Sequence, residues 1–124
     1  MSPAAALTLP SSRQAPGRAR AFVAERCRGW GLDEHVTDDG CLLASEVVTN
    51  ALQHGGGGIR LLVRLVLDGL QVEVCDGGSG VPRQRSSSED DEHGRGLAIV
   101  AAFALEWGHE ARPEGTCVWF TIAR

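Results

Sequence analysis

The spacing of apolar positions along this chain changes period several times, and each change predicts an element. Ala6-Leu7-Thr8-Leu9 reads as a short edge strand ended by Pro10. From Pro16 to Trp30, Ala19, Phe22, Val23 and Cys27 recur at helical spacing with Arg18, Arg20, Glu25, Arg26 and Arg28 between them. That is an amphipathic helix, ended by Gly29 or Gly31. A second helical pattern covers Leu42 to Gly58, opened by Asp38-Asp39-Gly40 with an aspartate as cap. Leu43, Val47 and Ala51 form its stripe for burial, Ser45, Thr49 and Gln53 a neighbouring stripe for water, and Gly55 to Gly58 stop it.

The period then becomes two. Ile59, Leu61, Val63, Leu65 and Leu67 share one face of a strand, with Arg60 and Arg64 on the other. Asp68-Gly69 is a two-residue hairpin signal. The return strand alternates Leu70, Val72 and Val74 with Gln71, Glu73 and Cys75. Val81 to His93 is nearly devoid of apolar residues and lies between two glycine clusters, as a mobile lid would. Gly94 opens a third helix that turns Leu97, Val100, Ala101, Ala104 and Leu105 to the core. His109 to Arg112 is a short strand, Pro113-Glu114-Gly115 a turn, and Thr116 to Ile122 a last strand.

At 124 residues this is one domain spanning 1–124, with 1–14 partly flexible and 81–93 the lid. A net charge of −4 gives no general attraction to nucleic acid or to a membrane surface. All 12 basic residues are Arg, so the lysine of a Walker A loop or of a eukaryotic-type protein kinase site is missing. No apolar run approaches the roughly 18 residues of a membrane span, and no basic-then-apolar leader opens the chain. The expected location is the cytoplasm. Cys27, Cys41, Cys75 and Cys117 lack metal-ligand spacing. Cys75 and Cys117 lie in apolar strand patterns and read as small buried side chains rather than as a disulfide.

Candidate chemistry gathers at four places. Glu46 and Asn50 lie one helical turn apart, at the seam between the wet and buried stripes. Asp76 shares its parity with Val72 and Val74, so its carboxylate points to the buried side at the strand's end and needs partners there. Gly77-Gly78-Ser79-Gly80 leaves room beside it. Gly94-Arg95-Gly96-Leu97 opens a helix and exposes N–H groups at its positive end, a place for phosphate. Gly115-Thr116 opens the last strand. G-R-G-L-A-I carries Ile99 where a dinucleotide fingerprint needs its third glycine. No G-x-S-x-G nucleophile elbow occurs.

The order E-x-x-x-N, D-x-G-x-G, G-x-G-L, G-T resembles the GHKL ATPase superfamily, which includes gyrase, histidine kinases and MutL. More closely it is similar to the small bacterial anti-sigma-factor serine kinases and the related single-domain ATP-binding regulators of actinomycetes. The resemblance runs from Leu9 to Phe120. It implies an α/β two-layer sandwich of the Bergerat type, with a mixed, mostly antiparallel sheet and three main helices on one face. It implies ATP and Mg2+ as cofactors. By the same resemblance Asp76 accepts the adenine amino group, with Thr116 in support, and Gly78 and Gly80 leave space for the adenosine. Asn50 supplies an oxygen to the magnesium, Glu46 orients or deprotonates the attacking hydroxyl, and Gly94, Gly96 and Leu97 present N–H groups to the phosphates. His54 falls near a position often basic in relatives, and equally suits a helix C-terminus.

The function expected on this basis is a cytoplasmic ATP-binding regulator that holds a sigma factor inactive and phosphorylates a serine or threonine of an antagonist protein. The alternative is a non-catalytic, nucleotide-dependent binding module. Expected partners are the sigma factor and the antagonist, with a homodimer allowed and no direct contact with nucleic acid or membrane. The lid SSSEDDEH is acidic where phosphates would prefer a cation, and Arg83, Arg85 and Arg95 are the candidates to supply one.

Overall fold

The computed structural model describes residues 3–54, 57–77 and 98–124. Five strands form one sheet in the order β1 (Ala4–Leu9), β2 (Ile59–Val66), β3 (Gly69–Asp76), β5 (Gly115–Ala123), β4 (Glu106–Arg112), and every neighbouring pair is antiparallel. Among the described residues the sheet is therefore antiparallel throughout, where a mixed sheet was expected. Helices α1 (Ala15–Gly29) and α2 (Glu34–His54) pack against each other and against one face of the sheet, and the helical residues 98–103 join them through Val100. This is the expected two-layer sandwich.

Alternation decides which face the helices cover. Leu61, Val63, Val72, Val74, Phe120 and Ile122 are all buried and all lie on the helix side. Each side chain withdrawn from water there contributes about 1.5–3 kcal/mol. Their sequence neighbours Arg60, Leu62, Glu73, Cys75 and Cys117 face the other way.

Helix α1 follows its sequence closely. Ala15, Ala19, Val23 and Cys27 are buried, Pro16 sits in the first turn, and Arg26 and Arg28 occupy the last turn, where the helix dipole favours cations. Gly31, at φ 72°, supplies the left-handed residue that lets the Leu32 N–H donate back to the Cys27 carbonyl at 2.9 Å.

Helix α2 begins at Glu34, earlier than the aspartates predicted. The Thr37 N–H and its hydroxyl both donate to the Asp33 carbonyl, at 3.0 and 2.9 Å, so the first turn is already closed ahead of Asp38. Asp38 and Asp39 lie within the helix, and Asp39 faces His35 at 3.5 Å. Gly40 is a close-approach residue: a Cβ there would come within 2.8 Å of a Leu70 methyl and 3.4 Å of one of Val23's. Leu43, Val47 and Ala51 are buried as expected, but so is Ser45. Its hydroxyl donates to the Leu42 carbonyl at 2.8 Å, and the Thr49 hydroxyl donates to the Ser45 carbonyl at 2.8 Å. A serine that bonds back into its own helix needs no water.

The β2–β3 hairpin turns one residue earlier than expected. Val66 pairs with Gly69, so Leu67 and Asp68 form the turn, and Leu67 is 89% exposed instead of on the buried face. Gly69 is already strand, pressed so closely on Ile122 that a Cβ would run into its carbonyl. Of the residues assigned to the core face of the third helix, Val100 is buried and Ala104 partly so, whereas Ala101 and Leu105 are exposed. The chain leaves the helix early because the Leu105 N–H donates to the Thr121 carbonyl at 2.7 Å, beginning β4 three residues before the predicted strand. Leu97 lies outside the described residues. The turn at Pro113-Glu114 and the strand through Thr116 to Ile122 are as expected.

Candidate functional site

Asp76 is the last residue of β3, and its register partners are Ile59 on one side and Thr116 on the other. Ile59 is buried, Asp76 and Thr116 are half-buried, and the next residue, Gly77, is exposed. The end of the central strands thus carries a carboxylate and a hydroxyl side by side at a boundary between core and solvent. Gly115 makes this closeness possible. It has φ 153°, and a Cβ on it would run into the Asp76 carbonyl and lie 3.2 Å from the Gly77 Cα.

Helix α2 carries the second half of the candidate site. Glu46 and Asn50 are both half-buried, between buried Val47 on one flank and exposed Leu42 and Gln53 on the other. After the helix, Gly57 (φ 72°) runs beside Gly77, close enough that a Cβ on Gly57 would lie 3.6 Å from the Gly77 Cα. Its carbonyl accepts a hydrogen bond from the Ser11 hydroxyl, tying the segment after β1 to the same corner. The structure therefore brings the loop after α2, Asp76, Gly77 and Thr116 to one corner. Gly78, Gly80, Gly94, Gly96 and Leu97, the 81–93 lid, Arg83, Arg85, Arg95 and the His54 side chain lie outside the described residues.

A groove of about 370 Å³ lies on the opposite side of the sheet, lined among others by Arg60, Leu62, Glu73, Cys75, Arg112 and Cys117. Here the structure corrects the sequence reading: Cys75 and Cys117 form a disulfide across β3 and β5. They are direct register partners, one step from the Asp76–Thr116 pair, with Cα atoms 4.0 Å apart. Strand pairing, which spacing along the chain does not reveal, puts the sulfurs together. The available signal was that each cysteine adjoins one of two residues already assigned to a common site.

Glu73 places a carboxylate within 4.8 Å of both sulfurs, but the disulfide leaves no thiolate there for a metal. Arg112 bridges this groove, 3.3 Å from Glu110, 3.5 Å from Glu73 and 3.9 Å from the Cys75 sulfur. The Glu110 hydrogen bond, with further attraction from Glu73 and Glu114, holds its guanidinium charge more firmly still. The other two cysteines are free thiols, Cys27 on α1 and Cys41 on α2. Burial pushes Cys27 up to about 11, and burial likewise raises Cys41.

A family model described as the histidine kinase-like ATPase domain matches residues 9–122. The chain belongs to that family. Among solved structures, it is similar to the crystal structure of the RsbU and RsbW domains of Rv1364c from Mycobacterium tuberculosis, at 27% identity and a TM-score of 0.76. That likeness covers 98% of this chain and 32% of the other, so the chain spans about a third of that protein's length. No curated protein matches it. Among the described residues, no helix is long and apolar enough to cross a membrane.

The half-buried corner fits the nucleotide that an ATPase family implies. It offers an acceptor carboxylate beside a hydroxyl, backed by Ile59 and opening past an exposed glycine, with a second carboxylate and an amide along the adjoining helix. Hard oxygen donors of this kind suit Mg2+ as well.

Proposed function

We propose that this chain is an ATP-binding regulator that works as an anti-sigma factor and phosphorylates a serine or threonine of an antagonist protein in the cytoplasm. The observation that carries the reading is the pairing of Asp76 with Thr116 at the end of the sheet, in a chain matched from residue 9 to 122 by a histidine kinase-like ATPase model. The likeness to a chain containing an RsbW domain supports the regulatory part.

In this reading Asp76 accepts the adenine amino group, Thr116 backs that contact, and Gly78 and Gly80 leave the adenosine room. Gly94, Gly96 and Leu97 donate backbone N–H groups to the phosphates, and Asn50 holds Mg2+ through its amide oxygen. When bound, the magnesium nucleotide supplies the phosphoryl group and neutralises its charge. Glu46 orients the acceptor hydroxyl and takes its proton at a carboxylate oxygen. The sigma factor and the antagonist are the partners, and two copies of the chain are compatible with this arrangement.

The acidic run Glu89 to Glu92 favours a second reading, in which the chain binds nucleotide and partner without transferring phosphate. Glu46→Gln decides between them. The substitution keeps the shape and removes the base, so nucleotide affinity stays near the wild-type value. Single-turnover transfer to the antagonist falls by roughly two to four orders of magnitude. A mutant that transfers at the wild-type rate removes Glu46 from the chemistry. A wild type that binds ATP and transfers nothing establishes the binding module.

A further inference from the structure

We propose that Cys75–Cys117 is a reversible thiol–disulfide site, open to a small dithiol reductant, whose redox state sets the nucleotide affinity of the neighbouring Asp76–Thr116 pair. The second half of this statement rests on the nucleotide reading above; the first half does not.

Three observations carry it. The two cysteines differ in exposure: Cys117 is buried at 3% exposure and Cys75 is only half-buried, and both line the groove of about 370 Å³ on the face away from α1 and α2. A groove of that size admits a small molecule up to a bonded sulfur. The Arg112 guanidinium stands 3.9 Å from the Cys75 sulfur, where it stabilises a thiolate; Glu73, ion-paired to Arg112 at 3.5 Å, is the group that opposes it. Finally, the bond sits on the register pair immediately next to Asp76 and Thr116, so the spacing of those two residues is tied to it.

The chemistry is ordinary thiol–disulfide exchange. A reductant thiolate attacks the Cys75 sulfur, a mixed disulfide forms, and the Cys75–Cys117 bond breaks with its electron pair leaving on Cys117, which takes a proton from solvent. The reductant's second thiolate then attacks its own sulfur of the mixed disulfide. This closes the reductant's ring disulfide and releases Cys75 as a thiolate beside Arg112. Two electrons pass from the dithiol to the protein. In the oxidising direction the Cys75 thiolate is the nucleophile. Once reduced, the two sulfurs must separate to non-bonded contact between strands that meet closely here. Asp76 and Thr116 lose the fixed spacing that pre-organises them, a loss worth about two- to tenfold in affinity.

The test uses the full chain prepared in two states, oxidised and treated with dithiothreitol. Thiols are counted on the denatured protein, nucleotide affinity is measured by calorimetry with ATP and Mg2+, and amide exchange is followed at residues 76–77 and 115–117. The expected result is two thiols before reduction and four after. The reduced protein stays folded, exchanges faster at those amides, and binds ATP about two- to tenfold more weakly, and reoxidation restores both readouts. In Cys75→Ser, ATP affinity and amide exchange respond neither to dithiothreitol nor to reoxidation. A bond that resists dithiothreitol until the protein unfolds overturns the proposal, as does equal affinity in the two states. If neither state binds ATP, the nucleotide reading fails. The exchange comparison then decides the disulfide site alone: equal exchange refutes its coupling to Asp76 and Thr116, and faster exchange on reduction supports it.

Discussion

Replacing Gly115 by alanine tests whether the Asp76–Thr116 corner depends on the close approach of β3 and β5. The added Cβ would run into the Asp76 carbonyl oxygen, lie 2.8 Å from its carbon and 3.2 Å from the Gly77 Cα. All three are backbone atoms, so no side-chain rotation relieves the overlap. The backbone at φ 153° adds a second cost, since L side chains rarely adopt that conformation. The strained conformation costs about 1–3 kcal/mol, and overpacking at an unyielding site about as much. The sum, roughly 2–6 kcal/mol, is a large part of the 5–15 kcal/mol that holds an ordinary domain together. Urea melts should show the midpoint falling with an unchanged slope. The strand ends must part where Asp76 meets Thr116, so ATP affinity should fall with it. Gly29 provides the matched control: no atom lies within 4 Å of its ideal Cβ, and it closes a helix. Gly29→Ala should leave stability unchanged or raise it by up to about 1 kcal/mol. Should Gly115→Ala melt within about 0.5 kcal/mol of wild type, as ordinary surface changes do, the close approach has been misread.

Asp76→Asn should abolish ATP binding in calorimetry while the far-ultraviolet spectrum stays native; unchanged affinity would remove Asp76 from the site. Asn50→Ala should weaken ATP more than ADP, because the magnesium grips the triphosphate more extensively, and equal weakening would make Asn50 a structural residue. Alkaline stability should be read through cysteine alone, since the chain has no Lys and no Tyr. Cys27 is raised from 9.0 to about 11, so the unfolded chain loses this proton first. Stability is then full below about pH 9 and falls by on the order of 2 kcal/mol as pH rises to about 11. Chemical denaturation across that range should show the fall, and Cys27→Ala should reduce it to the part that Cys41, also raised by burial, contributes.

Much of this protein is written locally. The period-two runs at Ile59 and Leu70 could be nothing but strands with one buried face, because a helix would scatter those residues around its circumference. Pro16, Gly31 and the helical spacing from Ala19 to Cys27 likewise determine α1 almost to its ends. Glu46, Asn50 and Asp76 were legible as candidates through the order E-x-x-x-N, D-x-G-x-G, G-x-G-L, G-T, since a carboxylate and an amide on a helix face are ordinary by themselves.

Element ends were less legible, since they depend on contacts between distant residues. The β2–β3 turn falls where Gly69 can press on Ile122, and β4 begins where the Leu105 N–H reaches the Thr121 carbonyl. Ser45 could be buried because its hydroxyl finds the Leu42 carbonyl inside the helix. The corner itself belongs to the tertiary structure. Asp76 and Thr116 are 40 residues apart in the chain, and only the antiparallel register of β3 with β5 makes them neighbours. The same register joins Cys75 to Cys117. A strand's own pattern says which of its faces is buried but not which residue of another strand will stand opposite, because register is chosen by the packing of the whole sheet.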